Sequence, residues 1–577
     1  MSNISLGISY NHPDSAVALC VDGKIVAAAE EERFNRIKHS AEFPNLAIKN
    51  ILDFVGIQPV EVDQICINSN PTFYSNLNRL LKDSFKNNLN KLINKSKEIK
   101  LKDHLKKLDL HEKPIISFEH HLCHLASAVY ESGFDEATAV SIDALGDGIS
   151  ASMAKFDSNK QLKIDERIFF PNSLGYFYET MTHYLGFPYW GDEYKVMGLS
   201  AYGEPKYIDS LRKFFFESKI NNFDLKINSK LINQNKNFSF IYGNDVKVNF
   251  LVNAELEKLL GKARKKEENL TQFHKDIAAS TQKVFEEEAN KLLFSAFDKT
   301  KCSKLALAGG CAMNSLWNGK ITDQTPFDKI FIPAAAGDAG GACGAAYLGN
   351  FKLKSFDSKK NRNINASLGI GYSNEFIKKT IDNINFTDDI KISYFENDEE
   401  QVDFLTDQII NGKVLGWFSG RMEWGPRALG NRSIIADPRR TDMQKLLNLK
   451  IKKRESFRPF APSILREKVL EWFEKSDDVP FMMQVFKIRE DKRKIIPSVC
   501  HADNTGRLQT VTEIQNKRYY KLINSFNNKT GVPILLNTSF NEQEPIVCSP
   551  EEAIDTFVRT KMDILSLENY VIERRSN

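Results

Sequence analysis

The stretch from Gly416 to Pro462, GWFSGRMEWGPRALGNRSIIADPRRTDMQKLLNLKIKKRESFRPFAP, sets cationic side chains among glycines, prolines and apolar residues. Arg421, Arg427, Arg432, Arg439, Arg440, Lys450, Lys452, Lys453, Arg454 and Arg458 all fall within it. Arginine offers a planar fork of N–H donors that matches phosphate or carboxylate, and glycine lets backbone N–H groups approach the same anion. A solvated basic face would instead carry lysines along one helical stripe, without Gly-Pro-Arg or Arg-Pro-Phe elements. The pattern predicts a pocket for a multiply charged small anion, such as nucleotide phosphates. A second polar loop with an arginine follows in HADNTGRLQTV, and PILLNTSFNEQEPIV reads as a strand ending at Asn537, Thr538 and Ser539.

A different chemistry is written in EHHLCHLASA, where His120 and His124 stand four apart. On a helix both project from one face and can grip one metal ion. Asp143 follows at the end of a strand. Two imidazoles and a carboxylate leave coordination positions open, as at non-haem iron and catalytic zinc sites. The alternative is a set of interior histidines satisfied by hydrogen bonds. Asp338, between glycines in AAAGDAGGACGAA, is placed to add a further carboxylate. In KLALAGGCAMN a strand runs into Gly309 and Gly310 and then a helix start, a geometry that aims backbone N–H groups at an anion or a ribose.

These groups need a frame. ISLGIS, SAVALCV and KIVAAAEEER read as three strands over residues 4–33, joined by Asn11-His12-Pro13-Asp14 and by the hairpin signal Asp22-Gly23. The pattern returns at 137–168 as ATAVSID, the loop Ala144–Gly148, ISASMAKF, a turn over Asp157–Lys160, and QLKIDERIFF. Such a repeat predicts a duplicated α/β core. Actin-like ATPase folds are built this way, with paired loops facing a cleft for nucleotide phosphates. DIAASTQKVFEEEANKLLFSAF at 276–297 has the spacing of an amphipathic helix. Residues 352–365, KLKSFDSKKNRNIN, read as a linker, and a new α/β unit begins near Ser367. Its closing helix carries a capping box, Ser549 with Glu552. The lysine-rich segment 75–113 reads as an amphipathic insertion packed on the body, and the Asn/Lys-rich segment 214–253 as a peripheral one.

With 577 residues, two or more domains are expected. A formal net charge of +4 argues against a protein built to grip nucleic acid, so phosphate-binding charge must be local. No run of about 18 apolar residues predicts a membrane span, and the start lacks the basic and apolar regions of a signal peptide. Eight scattered cysteines without a C-x-x-C pair point to a reducing cytoplasm.

Taken together, HHLCHLASA, EYKVMGLSAYG, LAGGCAMN, GDAGGACGAA, GRMEWGPRALGNRSI, RESFRPFAP and NTSFNEQEP resemble the nodulation-factor, tobramycin and cephem O-carbamoyltransferases. The resemblance covers nearly the whole chain outside the two insertions. It implies an actin-like carbamoyl-transfer domain over 1–355 and a YrdC-like domain over 366–577. In such proteins the YrdC-like domain turns carbamoyl phosphate and ATP, supplied with Mg, into carbamoyl adenylate. The actin-like domain then moves the carbamoyl group onto a hydroxyl of a small-molecule acceptor, a natural product or sugar. By resemblance, Arg427, Lys452, Arg458, Arg507 and Ser539 hold the anions of the first step. His120, His124, Asp143 and Asp338 correspond to ligands of Fe(II) or another divalent metal. Gly309, Gly310 and Asn314 correspond to the loop around the adenylate. His12 lies beside the transferring carbamoyl group, where it can take the acceptor proton. Departures are small: ALGDG follows Asp143, and tryptophan stands in RMEWG where phenylalanine is expected. No nucleic-acid or membrane partner is expected, and a homodimer is left open. The rival readings are a tRNA-modifying carbamoyl-adenylate enzyme and a non-catalytic nucleotide-binding relative. Salt-dependent binding to bulk tRNA distinguishes the first of these.

Overall fold

The computed structural model describes residues 2–69, 100–159, 161–217, 223–228, 239–241, 247–249, 254–353, 365–455 and 457–575. The chain divides into two compact units, one formed by residues 1–314 and 320–363 and the other by 315–319 and 364–577. The short excursion of residues 315–319 into the second unit has no signal in the sequence.

The first unit contains two five-stranded sheets with the same plan. β1 (Ile4–Ser9), β2 (Ala16–Val21), β3 (Lys24–Glu30), β4 (Gln64–Asn68) and β5 (Ile115–Phe118) lie in the order β3-β2-β1-β4-β5. β6 (Ala137–Gly146), β7 (Ile149–Phe156) and β8 (Leu162–Phe169) open the second sheet. A short hairpin of β9 (Ser239–Ile241) and β10 (Lys247–Asn249) intervenes. β11 (Lys304–Ala308) and β12 (Lys329–Phe331) then complete the order β8-β7-β6-β11-β12. In each sheet three antiparallel strands precede two added in parallel. The duplication read from the hairpins is therefore a duplication of topology.

The turn chemistry explains the hairpins. Asp22 and Gly23 have φ of 49° and 84°, and Asp147 and Gly148 have 50° and 83°. Two consecutive positive φ values suit the twist of a two-residue hairpin, and Asp-Gly adopts them at low cost. The loop expected at 144–148 is shorter than predicted, because β6 continues to Gly146 across a register irregularity after Ile142. β3 likewise ends at Glu30, and the chain turns into a short helix, Glu32–Asn35.

β1 is buried along its length, since it has neighbours on both sides and helices against it. The helix Gly341–Leu353 crosses it closely: a Cβ on Gly7 would lie 1.9 Å from the Ala342 carbonyl oxygen. The long helix expected at 276–297 spans Gln272–Thr300. Of the lysine-rich insertion, residues 100–107 are helical with Leu101 and Leu105 buried, and 70–99 lie outside the described residues. Much of the 214–253 insertion also lies outside them.

The second unit is built on an eight-stranded sheet. Its strands are β13 (Ile390–Tyr394), β14 (Leu415–Phe418), β15 (Arg432–Ala436), β16 (Ala461–Leu465), β19 (Gln509–Val511), β20 (Ile534–Ser539), β21 (Ile564–Leu567) and β22 (Tyr570–Arg574). They run β13-β22-β21-β14-β15-β20-β16-β19, and a two-residue pair, β17 (Phe486–Lys487) with β18 (Thr505–Gly506), lies beside them. Helices Lys517–Thr530 and Pro550–Thr560 cover the sheet, the latter with the expected capping box at Ser549 and Glu552. No described helix is long and apolar enough to cross a membrane.

Candidate active site

In the first unit the predicted histidines and aspartates converge. The helix His120–Ser132 follows β5, and its first N–H, on His120, donates to Asp147 Oδ2 at 2.9 Å. An acidic cap at a helix N-terminus satisfies an orphan donor and fixes the entry of the chain. Asp143 comes from β6, and Asp338 from a short turn after β12. His120 Nε2 and His124 Nε2 are 2.9 Å apart, and His124 Nε2 is 3.0 Å from Asp143 Oδ2. Asp338 Oδ1 lies 3.3 Å from His120 Nε2 and 3.6 Å from His124 Nε2. One ligand atom from each of the four residues lies within 4.8 Å of the others. The cluster sits at the carboxyl ends of strands, where open α/β sheets place ligands.

Glycines make this convergence sterically feasible. A Cβ on Gly146 would fall 2.0 Å from His120 Cδ2, and one on Gly310 would fall 2.9 Å from Asp143 Oδ1. Gly309, at φ 91°, brings the chain against the Ile142 carbonyl. The Gly309-Gly310 turn is thus pressed onto the acidic cluster. The Asn314 amide is instead tied to Gln282, with bonds of 2.9 and 3.0 Å in the two directions.

The electrostatics follow from the packing. Burial would lower His120, but bonds to Asp143 and Asp338 and their charges more than offset it, leaving its pKa well above the ordinary value. Burial would raise Asp338, yet His12, His120 and His124 hold it well below the usual range. Asp143 is held low in the same way, against its burial and the Asp338 charge, by His120 and His124. Two imidazoles and two carboxylates in a buried site fit a divalent cation, which would replace protons otherwise needed between these nitrogens and oxygens. His121 behaves differently. It bonds to Ser141 Oγ at 2.7 Å and the Ile149 carbonyl at 3.0 Å, and burial, then His120 and His124, push its pKa to about 3. It is a satisfied core histidine.

His12 reaches the cluster through Asp338 Oδ2, 3.3 Å from Nδ1. Its Nδ1 also lies 3.0 Å from the Pro13 carbonyl, and Nε2 is 3.1 Å from Ser9 Oγ. Both ring nitrogens are therefore engaged.

In the second unit the structure sorts the cationic stretch into two groups. Arg432 is buried, bonds to the Ser419, Asn431 and Gly420 carbonyls, and lies 3.5 Å over the Phe418 ring. Arg421 donates to the Gly369 and Leu368 carbonyls. Arg439 pairs with Asp437, Arg440 with Asp442, and Lys453 with Glu542. These side chains hold the fold, and the expectation that the whole stretch lines an anion pocket is narrowed accordingly. The sequence reading missed Glu423, whose Oε1 accepts from the backbone of Leu429, Asn431 and Arg432 at 2.8, 2.7 and 3.1 Å. That carboxylate shapes the loop that carries Arg427.

The second group is a cluster of like charges. Arg427, Arg454 and Arg458 lie close enough to Arg507 to depress its pKa, after burial, well below the arginine range. Arg507 Nε is buried and meets no hydrogen-bond acceptor among the described residues. All four side chains are half-buried, and guanidinium groups crowded together in this way favour an anion between them. Arg458 Nη1 lies 3.4 Å from Glu455 Oε2, and Arg454 Nε is bonded to Asn448 Oδ1 at 2.7 Å.

Lys452 is buried, and its Nζ lies 2.8 and 3.2 Å from the Ser539 carbonyl and hydroxyl and 2.7 and 2.6 Å from the Asn541 carbonyl and amide oxygens. Three ammonium donors are saturated by these four oxygens. Lys452 therefore organises the turn after β20 rather than offering an open donor.

Both α/β units have counterparts among known proteins. A family profile described as the carbamoyltransferase N-terminus matches residues 4–347, and one described as the carbamoyltransferase C-terminus matches residues 406–574. The chain belongs to the carbamoyltransferase family. An uncharacterized protein of Synechocystis is 39% identical over 99% of this chain and 96% of its own length. The nodulation protein NolNO of Sinorhizobium fredii is 35% identical over 100% of this chain and 81% of its own. The 3'-hydroxymethylcephem-O-carbamoyltransferase of Amycolatopsis lactamdurans is 32% identical over 41% of this chain and 42% of its own. The protein is a carbamoyltransferase.

Proposed function

We propose that the protein is an ATP-dependent O-carbamoyltransferase with a division of labour between its units. The second unit, read as YrdC-like, takes carbamoyl phosphate and magnesium-bound ATP, releases phosphate and pyrophosphate, and forms carbamoyl adenylate. The first, read as actin-like from its duplicated sheets, transfers the carbamoyl group to a hydroxyl of a small molecule and releases AMP. The work belongs in the cytoplasm, where both cosubstrates are made.

The observation that carries this reading is the half-buried Arg507, its Nε enclosed and without an acceptor among the described residues, beside Arg427, Arg454 and Arg458. Joining carbamoyl phosphate to ATP brings several negative charges together, and preorganised guanidinium groups stabilise their redistribution without reorganising. Lys452 serves by holding Ser539 in place. In the first unit the backbone of Gly309 and Gly310 faces the adenylate, with Asn314 ordering the turn through Gln282. His120, His124, Asp143 and Asp338 would hold Fe(II) or another divalent ion. When bound, such an ion supplies Lewis acidity to a carbamoyl or phosphate oxygen. His12, fixed by Asp338 and Ser9, positions the group to be transferred. The acceptor named for the cephem relative makes a hydroxymethyl group of comparable size a reasonable first probe.

The test omits the acceptor. The protein is incubated with carbamoyl phosphate, ATP and magnesium, and the products are read by mass spectrometry. A carbamoyl-adenylate mass with stoichiometric pyrophosphate is expected. Folded, ATP-binding protein that makes neither would refute the adenylate route.

A further inference from the structure

A second histidine–aspartate arrangement lies outside the four-residue cluster. His39 Nδ1 is 2.7 Å from Asp14 Oδ1. Asp14 belongs to the loop between β1 and β2, and His39 to the loop after the helix Glu32–Asn35. Both backbones are left-handed, with φ of 67° and 55°, a region that Asp and His enter more readily than most non-glycine residues. Neighbouring side chains hold both residues in place. The His39 N–H donates to Glu32 Oε2 at 2.9 Å, and the Trp190 side chain hydrogen-bonds to Asp14.

The dyad leaves one nitrogen available. No hydrogen bond reaches His39 Nε2 among the described residues, and the two side chains are 26% and 32% exposed. Gly191, at φ 78°, passes along that edge of the ring, where a Cβ would fall 3.1 Å from Nε2. The dyad shares its surroundings with the metal-type cluster. Asp14 stands two residues from His12 in the same loop, and His12 Nδ1 is 3.3 Å from Asp338 Oδ2 of that cluster. His12, by contrast, has both nitrogens engaged.

We propose that His39 is the general base of carbamoyl transfer, with Asp14 as the residue that positions it. This rests on the adenylate reading above. Asp14 accepts from Nδ1–H, which leaves the lone pair on Nε2 for the acceptor proton, the orientation an aspartate imposes on a catalytic imidazole. The acceptor oxygen bonds to the carbamoyl carbon, and its proton passes to His39 Nε2. The bond from that carbon to the adenylate oxygen breaks, and AMP leaves with the electron pair. Acceptor alcohol and carbamoyl adenylate thus give carbamate ester, AMP and one proton.

The test uses the full-length protein, His39→Gln and Asp14→Asn, with two nucleophile probes. Hydroxylamine attacks without first losing a proton and yields hydroxyurea, whereas glycerol at molar concentration requires a base and yields glyceryl carbamate. In His39→Gln, glyceryl carbamate should fall by roughly 100-fold or more, while pyrophosphate release and hydroxyurea formation persist. Asp14→Asn should follow in the same direction. Glycerol transfer at the wild-type rate would overturn the assignment. Parallel loss of hydroxyurea would overturn it in favour of a structural role, and loss of a bound metal ion per chain in favour of a second cation site at Asp14, Glu32 and His39. Failure of the adenylate reading looks different: the wild type itself would then release no pyrophosphate and form no hydroxyurea.

Discussion

The Nε2 atoms of His120 and His124 stand 2.9 Å apart, each also within reach of the carboxylates of Asp143 and Asp338. Two imidazole lone pairs approach this closely only around a shared proton or cation. Purified protein should therefore carry about one divalent ion per chain, and His124→Ala should lose it. Gly146→Ala should lose much of it too, because its Cβ would collide with the His120 ring. Metal content by elemental mass spectrometry checks both variants. Full metal retention by His124→Ala would remove the site.

Arg507 stores electrostatic repulsion that an anion relieves. Inorganic phosphate should raise the melting temperature of the wild type, by an amount set by RT ln(1 + [L]/Kd), about 2.7 kcal/mol at 100-fold over Kd. Arg507→Met should melt higher than wild type in phosphate-free buffer and respond little to phosphate. A variant that melts lower and still responds to phosphate would contradict the arginine-cluster reading. Thermal denaturation across a phosphate series reads both effects.

His501 reports on the same cluster from a neighbouring loop. Burial, and then Arg507 acting against Asp503, push its pKa to about 4 from 6.5. Between those values the unfolded chain binds a proton that the folded chain does not. Its contribution to stability is thus fully present above pH 6.5 and is lost as the pH falls towards 4. His501→Gln should reduce the stability lost between pH 7 and 4.5 by on the order of 1–3 kcal/mol, measured as the difference in urea unfolding. Phosphate bound beside Arg507 should raise the His501 pKa, visible as a shifted imidazole titration by NMR. An unperturbed titration near 6.5 would show that His501 is not buried against Arg507.

Much of this is legible in the sequence. The two Asp-Gly turns announce the duplicated sheets because positive φ at consecutive positions leaves few alternatives to such residues. His120 and His124 are readable because helical spacing fixes which side chains share a face, Asp143 because it stands at a strand end, and Asp338 because it sits between glycines ahead of a helix. The sorting of the arginines was not readable. Arg432 and Arg421 bond to backbone carbonyls, which have no residue identity, so no pattern in the sequence separates them from Arg427. Lys452 is assigned to the anions by resemblance alone, and its contacts with Ser539 and Asn541 have no signal in the sequence. Asp14 and His39 are 25 residues apart in irregular loops, where no periodicity predicts a meeting.

The most direct test of the division between the units measures pyrophosphate release from carbamoyl phosphate and ATP, without acceptor, in two variants side by side. Arg507→Gln should lose this release, because it touches the first half-reaction alone. His124→Gln should keep it while losing its metal ion and all transfer. If His124→Gln lost pyrophosphate release as completely as Arg507→Gln, or if Arg507→Gln kept it, the assignment of adenylate formation to the second unit would be wrong.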